Sequence, residues 1–147
     1  NIVLLGAGGS ARGIAFGLKN KGANITILNR TISKAKKLAK EFNVNYGGLN
    51  KLNTIRGDIL INSTRLGMYP CTNISIATKK QLKKFPIVFD IVYNPIETKF
   101  LKLAKKAGCK TINGLEMLVY QGMIAFELWT KQKPSFKIMY KEARKNI

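Results

Sequence analysis

Histidine is missing altogether from these 147 residues. That removes the commonest general base and the commonest metal ligand of proteins. Cysteine is nearly missing too. Cys71 and Cys109 are the only 2, far apart and without metal-ligand spacing, so two unpaired thiols are expected. No apolar run approaches the ~20 residues that span a bilayer. No basic-then-apolar leader ends in small residues, so no membrane partner is expected and the cytoplasm is the expected compartment. Carboxylates are scarce: 7 Asp+Glu stand against 26 Lys+Arg, a formal net charge of +19.

Such a charge invites a nucleic-acid reading. The lysines, however, are spread along the chain. Lys34, Lys36, Lys37 and Lys40, then Lys79, Lys80, Lys83 and Lys84, then Lys99, Lys102, Lys105 and Lys106 alternate with apolar residues at helical spacing. They read as the solvated faces of amphipathic helices, and nucleic acid is not the expected partner. A basic field also favours a phosphate-bearing cofactor without identifying one. The remaining composition, 46% hydrophobic and 22% charged, is ordinary for one globular domain with a real core.

Strand and helix patterns alternate from end to end, which predicts a parallel α/β sheet. Strands are expected over 1–5, 25–28, 58–61, 87–90 and 110–112, with a short edge strand over 44–46 before a turn at Gly47-Gly48. Helices are expected over 10–21, from Thr31 or Ser33 to about Phe42, over 78–84 and 97–107, from an Asn113 cap to about Thr130, and from about Ser135 onward. Right-handed crossovers on this pattern give a doubly wound, mostly parallel sheet whose ligand lies at the carboxyl ends of the strands.

Those ends carry the chemistry. Gly6-Ala7-Gly8-Gly9-Ser10-Ala11 follows the first strand and opens a helix. Gly6 suits the tight turn, Gly8 lets backbone approach a pyrophosphate, and Ala11 permits close helix–strand packing. The helix N-terminus at Gly9 and Ser10 favours an anion. A dinucleotide site usually shows Asp or Glu at the end of the second strand when the ribose 2′-hydroxyl is to be bound. Here that place holds Asn29-Arg30-Thr31, with Lys34 a turn further on. Two cations and a hydroxyl suit a 2′-phosphate, so NADP is expected rather than NAD. Asn62, Ser63 and Thr64 end the fourth strand, where either cofactor contact or ordinary loop capping is open. Gln121 sits in an apolar helix, where its amide either meets backbone or water or reaches a polar substrate.

Taken together, these blocks resemble the shikimate dehydrogenase family over nearly the whole chain. The resemblance runs through Gly6 to Arg12, Asn29-Arg30-Thr31 with Lys34, Asn62 to Met68, Asp90-Ile91-Val92-Tyr93-Asn94-Pro95, and Asn113 to Gly122. It implies a Rossmann-like NADP-binding domain over 1–147 with extra C-terminal helices, from an enzyme that reduces 3-dehydroshikimate to shikimate with NADPH. It implies that Gly6, Ala7, Gly8, Gly9 and Ser10 grip the pyrophosphate, and that Asn29, Arg30, Thr31 and Lys34 hold the 2′-phosphate. Ile91 and Gly114 would lie along the nicotinamide, with Tyr93 and Gln121 reaching the small-molecule substrate. The family's proton-transferring Lys and Asp come from an amino-terminal domain ahead of the glycine loop. The expectation is therefore a cofactor-binding domain without its catalytic partner, of monomeric or homodimeric state, inactive alone. A quinate/shikimate dehydrogenase, a glutamyl-tRNA reductase-like domain and a basic, non-catalytic Rossmann module are the alternatives.

Overall fold

Ile2-Val3-Leu4-Leu5 has no polar position, and the fold buries all four. Such a strand belongs in the middle of a parallel sheet with both faces covered. In the computed structural model, which describes residues 1–147, this strand (β1) lies between β2 (Ile25–Asn29) and β4 (Ile59–Asn62). The sheet is completed by β3 (Asn45–Gly48), β5 (Ile87–Asp90) and β6 (Lys110–Ile112), in the order β3-β2-β1-β4-β5-β6. Every neighbouring pair is parallel.

Strand periodicity divides β1 between two cores. Ile2 and Leu4 pack with Ala11 and Ala15 of α1 (Gly9–Asn20) and with Ala35, Leu38 and Ala39 of α2 (Ile32–Phe42). Val3 and Leu5 pack on the opposite face with Leu82 of α3 (Lys79–Leu82) and with Phe100, Leu101 and Ala104 of α4 (Lys99–Lys106). Ala11 and Ala15 are fully buried, and their small size lets α1 lie close on the sheet. Further along α1, Ile14 and Leu18 are only half-covered and face an apolar groove with Ile59, Ile61, Phe89 and Ile112.

Several boundaries differ from expectation for local reasons. Gly47-Gly48 is strand, not turn: Leu28 pairs with Gly47 and Asn29 with Gly48, and both glycines are buried. The reversal that follows is a 3-10 turn, Leu49–Asn53. The third helix is shorter than 78–84, and the fourth starts at Lys99 because Thr98 caps it, its Oγ1 accepting from Leu101 N. Gly114, not Asn113, occupies the cap position of α5 (Leu115–Thr130), although Asn113 Oδ1 accepts from Leu115 N at 3.0 Å.

α5 leaves the sheet with only Leu115 and Val119 buried. Tyr120, Ile124 and Leu128 form an exposed stripe, and Trp129 is 83% exposed. The helix pairs with α6 (Phe136–Lys145), where Tyr120 meets Phe136 at 5.0 Å between ring centroids. Both cysteines are free, and no helix is long and apolar enough to cross a membrane.

Candidate functional site

The strand order reverses between β1 and β4, and at that point the carboxyl ends of neighbouring strands open a crevice. Gly6 makes the first bend. Its φ of +112° lies in a region that L side chains rarely adopt, and a Cβ there would sit 2.7 Å from Ser63 Oγ. Ser63 in turn donates to Leu5 O at 2.7 Å, so the turns after β1 and β4 lie side by side. Gly8 precedes α1, which has no capping side chain and no acidic residue in its first turn. Its first N–H groups are therefore free for an anion. Gly8 and Gly9 have no heavy atom within 4 Å of where a Cβ would stand, so open space adjoins them.

The resulting cleft, about 260 Å³, is lined by Gly6, Ala7, Gly8, Asn29, Arg30, Thr31, Lys34, Ser63 and Thr64. These residues come from three separate stretches of chain, and no carboxylate is among them. Neither Arg30 nor Lys34 is in an ion pair, whereas Arg12 is held by Glu41 at 3.1 Å. Asn29 Nδ2 donates to Thr31 O at 3.0 Å, which shapes the turn carrying Arg30. Beyond Arg30 and Thr64 the cleft continues into a recess of about 300 Å³ bounded by Leu49, Arg65, Leu66 and Ile76. Arg65 is a second guanidinium there that motif reading did not single out.

The other expected residues fall differently. Gly9 and Ser10 lie exposed at the start of α1, beside the cleft rather than among its lining. Asn62, expected at the cofactor, is wholly buried behind Ser63 and Thr64. It sits at the last position of β4, paired with Asp90 at the last position of β5, so its side chain turns toward a polar neighbour instead of the crevice. Ile91 is half-buried and Gly114 buried, and the two are in direct backbone contact. Tyr93 is 38% exposed on the turn after β5. Gln121 is exposed on α5, so its amide meets solvent and needs no buried partner.

Asp90 is the site's unanticipated group. It is fully buried, yet all its bonds come from neutral donors. Asn62 Nδ2 and Val92 N donate to Oδ1 at 2.9 and 3.1 Å, and Thr98 Oγ1 donates to Oδ2 at 2.6 Å. Burial pushes its carboxyl up to about 6, and the three hydrogen bonds oppose that rise. A pH dependence of stability follows. Because the folded pKa is raised above its ordinary 3.8, the folded chain binds a proton between about pH 4 and 6 that the unfolded chain has lost. Stability therefore falls as pH rises through that window, by roughly 3 kcal/mol for this group. Urea unfolding at several pH values, wild type against Asp90→Asn, isolates the contribution. The difference between the two proteins should grow from pH 4 to 6 and level off above; a constant difference contradicts it.

Comparison with known proteins adds an independent line. Residues 1–117 match the family model described as Shikimate / quinate 5-dehydrogenase, and residues 114–144 match one described as Shikimate 5'-dehydrogenase C-terminal domain. A shikimate dehydrogenase (NADP(+)) of Methanococcus maripaludis is 46% identical over 156 aligned positions, covering 100% of this chain and 55% of the relative. One from Methanosarcina barkeri is 50% identical, covering 95% and 53%. The crystal structure of shikimate 5-dehydrogenase from Thermus thermophilus, in complex with NADP(H) and shikimate, is similar with a TM-score of 0.87 at 37% identity. That match covers 99% of this chain and 55% of the other. The chain thus spans about half the length of the curated relatives it matches.

Proposed function

The chain belongs to the shikimate/quinate dehydrogenase family, and from that premise we propose that it is the NADP(H)-binding domain, residues 1–147, of a shikimate dehydrogenase. Such an enzyme reversibly reduces 3-dehydroshikimate to shikimate in the biosynthesis of aromatic amino acids. The carrying observation is that Arg30 and Lys34, both free of ion pairs, line a cleft that has no carboxylate.

The residues fit the cofactor. The uncapped start of α1 and the open space beside Gly8 suit a pyrophosphate. Arg30, Lys34 and Thr31 supply donors for a 2′-phosphate, and a guanidinium can also stack on adenine. The recess bounded by Leu49, Leu66 and Ile76 is apolar enough for that base. When bound, the cofactor supplies the hydride. The chain's own work is orientation: Ile91 and Gly114 bound the nicotinamide end, while Tyr93 and Gln121 offer a hydroxyl and an amide to the substrate. None of the chain's lysines takes the proton-transfer role. That role belongs with the family's amino-terminal Lys and Asp.

The test is a pair of measurements on these 147 residues. Fluorescence titration should show NADPH binding, with NADH much weaker, and shikimate oxidation with NADP⁺ should stay at background. Robust turnover, or equal affinity for the two cofactors, refutes the reading. A preference for NAD with quinate in the complete enzyme would favour the quinate branch instead, but Arg30 and Lys34 oppose it.

A further inference from the structure

Asp90 touches neither the cleft nor any residue assigned to the substrate, yet it sits between the two ends of the proposed cofactor site. The phosphate end includes Thr64, whose N–H and Oγ1–H both donate to Asn62 Oδ1, at 3.0 and 2.7 Å. Asn62 passes its Nδ2–H to Asp90 Oδ1 at 2.9 Å, and Val92 N–H reaches the same oxygen at 3.1 Å. Val92 O then accepts from Gly114 N at 3.2 Å. An unbroken run of hydrogen bonds thus joins the wall of the glycine-loop cleft to the first residues of α5. The two turns also share one backbone bond, from Ile91 N to Asn62 O at 3.1 Å, and the side-chain atom that joins them is Oδ1 of Asp90.

We propose that Asp90 is a positioning residue, whose Oδ1 sets the span between the phosphate end of the cleft and the Ile91–Gly114 end. The proposal rests on the dinucleotide reading given above. A dinucleotide must satisfy both ends at once, so the spacing of the two ends enters its affinity; a ligand that fills one end does not feel it. The chemistry requires an acceptor that takes two N–H groups at once. A carboxylate oxygen does so, and so does the carbonyl oxygen of an asparagine in the same place. The second oxygen is outside the run: it takes the Thr98 hydroxyl, which ties the start of α4 to the end of β5.

The test uses two ligands on the protein. NADP⁺ occupies both ends. Adenosine 2′,5′-bisphosphate carries the adenine and the 2′-phosphate and occupies the phosphate end alone. Asp90→Ala should weaken NADP⁺ about tenfold, since a hydrogen bond to a charged group is lost between the turns. The bisphosphate should bind as before, within about twofold. Asp90→Asn keeps the acceptor of the run and should restore most of the NADP⁺ affinity. Should Asp90→Ala not fold, Asp90→Ser carries the same expectation, because its hydroxyl is too short to meet both N–H groups.

A merely structural role would lower both affinities together, or neither. Either result overturns the proposal, as does an Asp90→Asn protein that loses NADP⁺ as badly as Asp90→Ala. Wild-type protein that binds neither ligand is a different failure: it refutes the dinucleotide reading itself and takes this proposal with it.

Discussion

Replacing Gly114 by alanine is expected to destabilise the chain by about 3 kcal/mol or more, at the upper end of what an added methyl costs in a packed site. The position has ordinary backbone angles, φ −81° and ψ −3°, so its need for glycine is one of space. A Cβ there would stand 2.0 Å from Ile91 O, 2.4 Å from Ile91 C and 3.0 Å from Val92 C. All three atoms are backbone, and no rotamer change can move them. Val92 C bears the oxygen that accepts from Gly114 N at 3.2 Å, so the turn after β5 would have to leave the start of α5. Urea unfolding followed by far-UV circular dichroism measures the loss. Gly8→Ala is the natural contrast. With no atom within 4 Å of its Cβ, it should unfold like the wild type while binding NADPH more weakly. A Gly114→Ala protein within about 0.5 kcal/mol of wild type would contradict the account.

The second large effect is expected at the cations. Arg30→Ala and Lys34→Ala should each lower NADPH affinity roughly 10- to 100-fold, the range for a lost charge-assisted bond to phosphate. NADH affinity should hardly change, because the group these side chains meet is absent from it. Neither residue has an ion-pair partner to be left behind, so stability should be nearly unaffected. The salt dependence of NADPH binding should also become shallower in both variants. Parallel losses for NADPH and NADH would mean that Arg30 and Lys34 act on the pyrophosphate or on the fold, and the preference for NADP would lose its basis.

The elements were legible wherever the signal was local. Ile2 to Leu5 announced a doubly buried strand, Gly6 to Ala11 the turn into a helix, and Ala35, Leu38 and Ala39 the buried face of α2. Arg30 and Lys34 could be placed at one cleft from their spacing after β2 alone. What escaped depends on neighbours distant in sequence. Asn62 stayed open between cofactor contact and loop capping because its partner, Asp90, is brought beside it only by the β4–β5 register. The clearance at Gly114 is set by the carbonyl of Ile91, which no helix-capping rule anticipates. Gly47 and Gly48 had the composition of a turn, but pairing with Leu28 and Asn29 made them strand. Gln121 was placed by its apolar neighbours, yet α5 buries only Leu115 and Val119, and Ile124, Phe126 and Leu128 are exposed like Gln121 itself.

The exposed end of α5 has a spectroscopic consequence. Trp129 is the chain's 1 tryptophan, and it stands 83% exposed in the last turn of α5. Its indole already emits from water in the native state, so melting of the sheet should leave the emission maximum almost where it was. Nor does it line the cleft of Gly6, Arg30 and Thr64, so cofactor occupancy there has no direct hold on it. The intrinsic fluorescence of this protein instead watches the last turn of α5, and a blue shift would mark the moment when something apolar covers Trp129 itself.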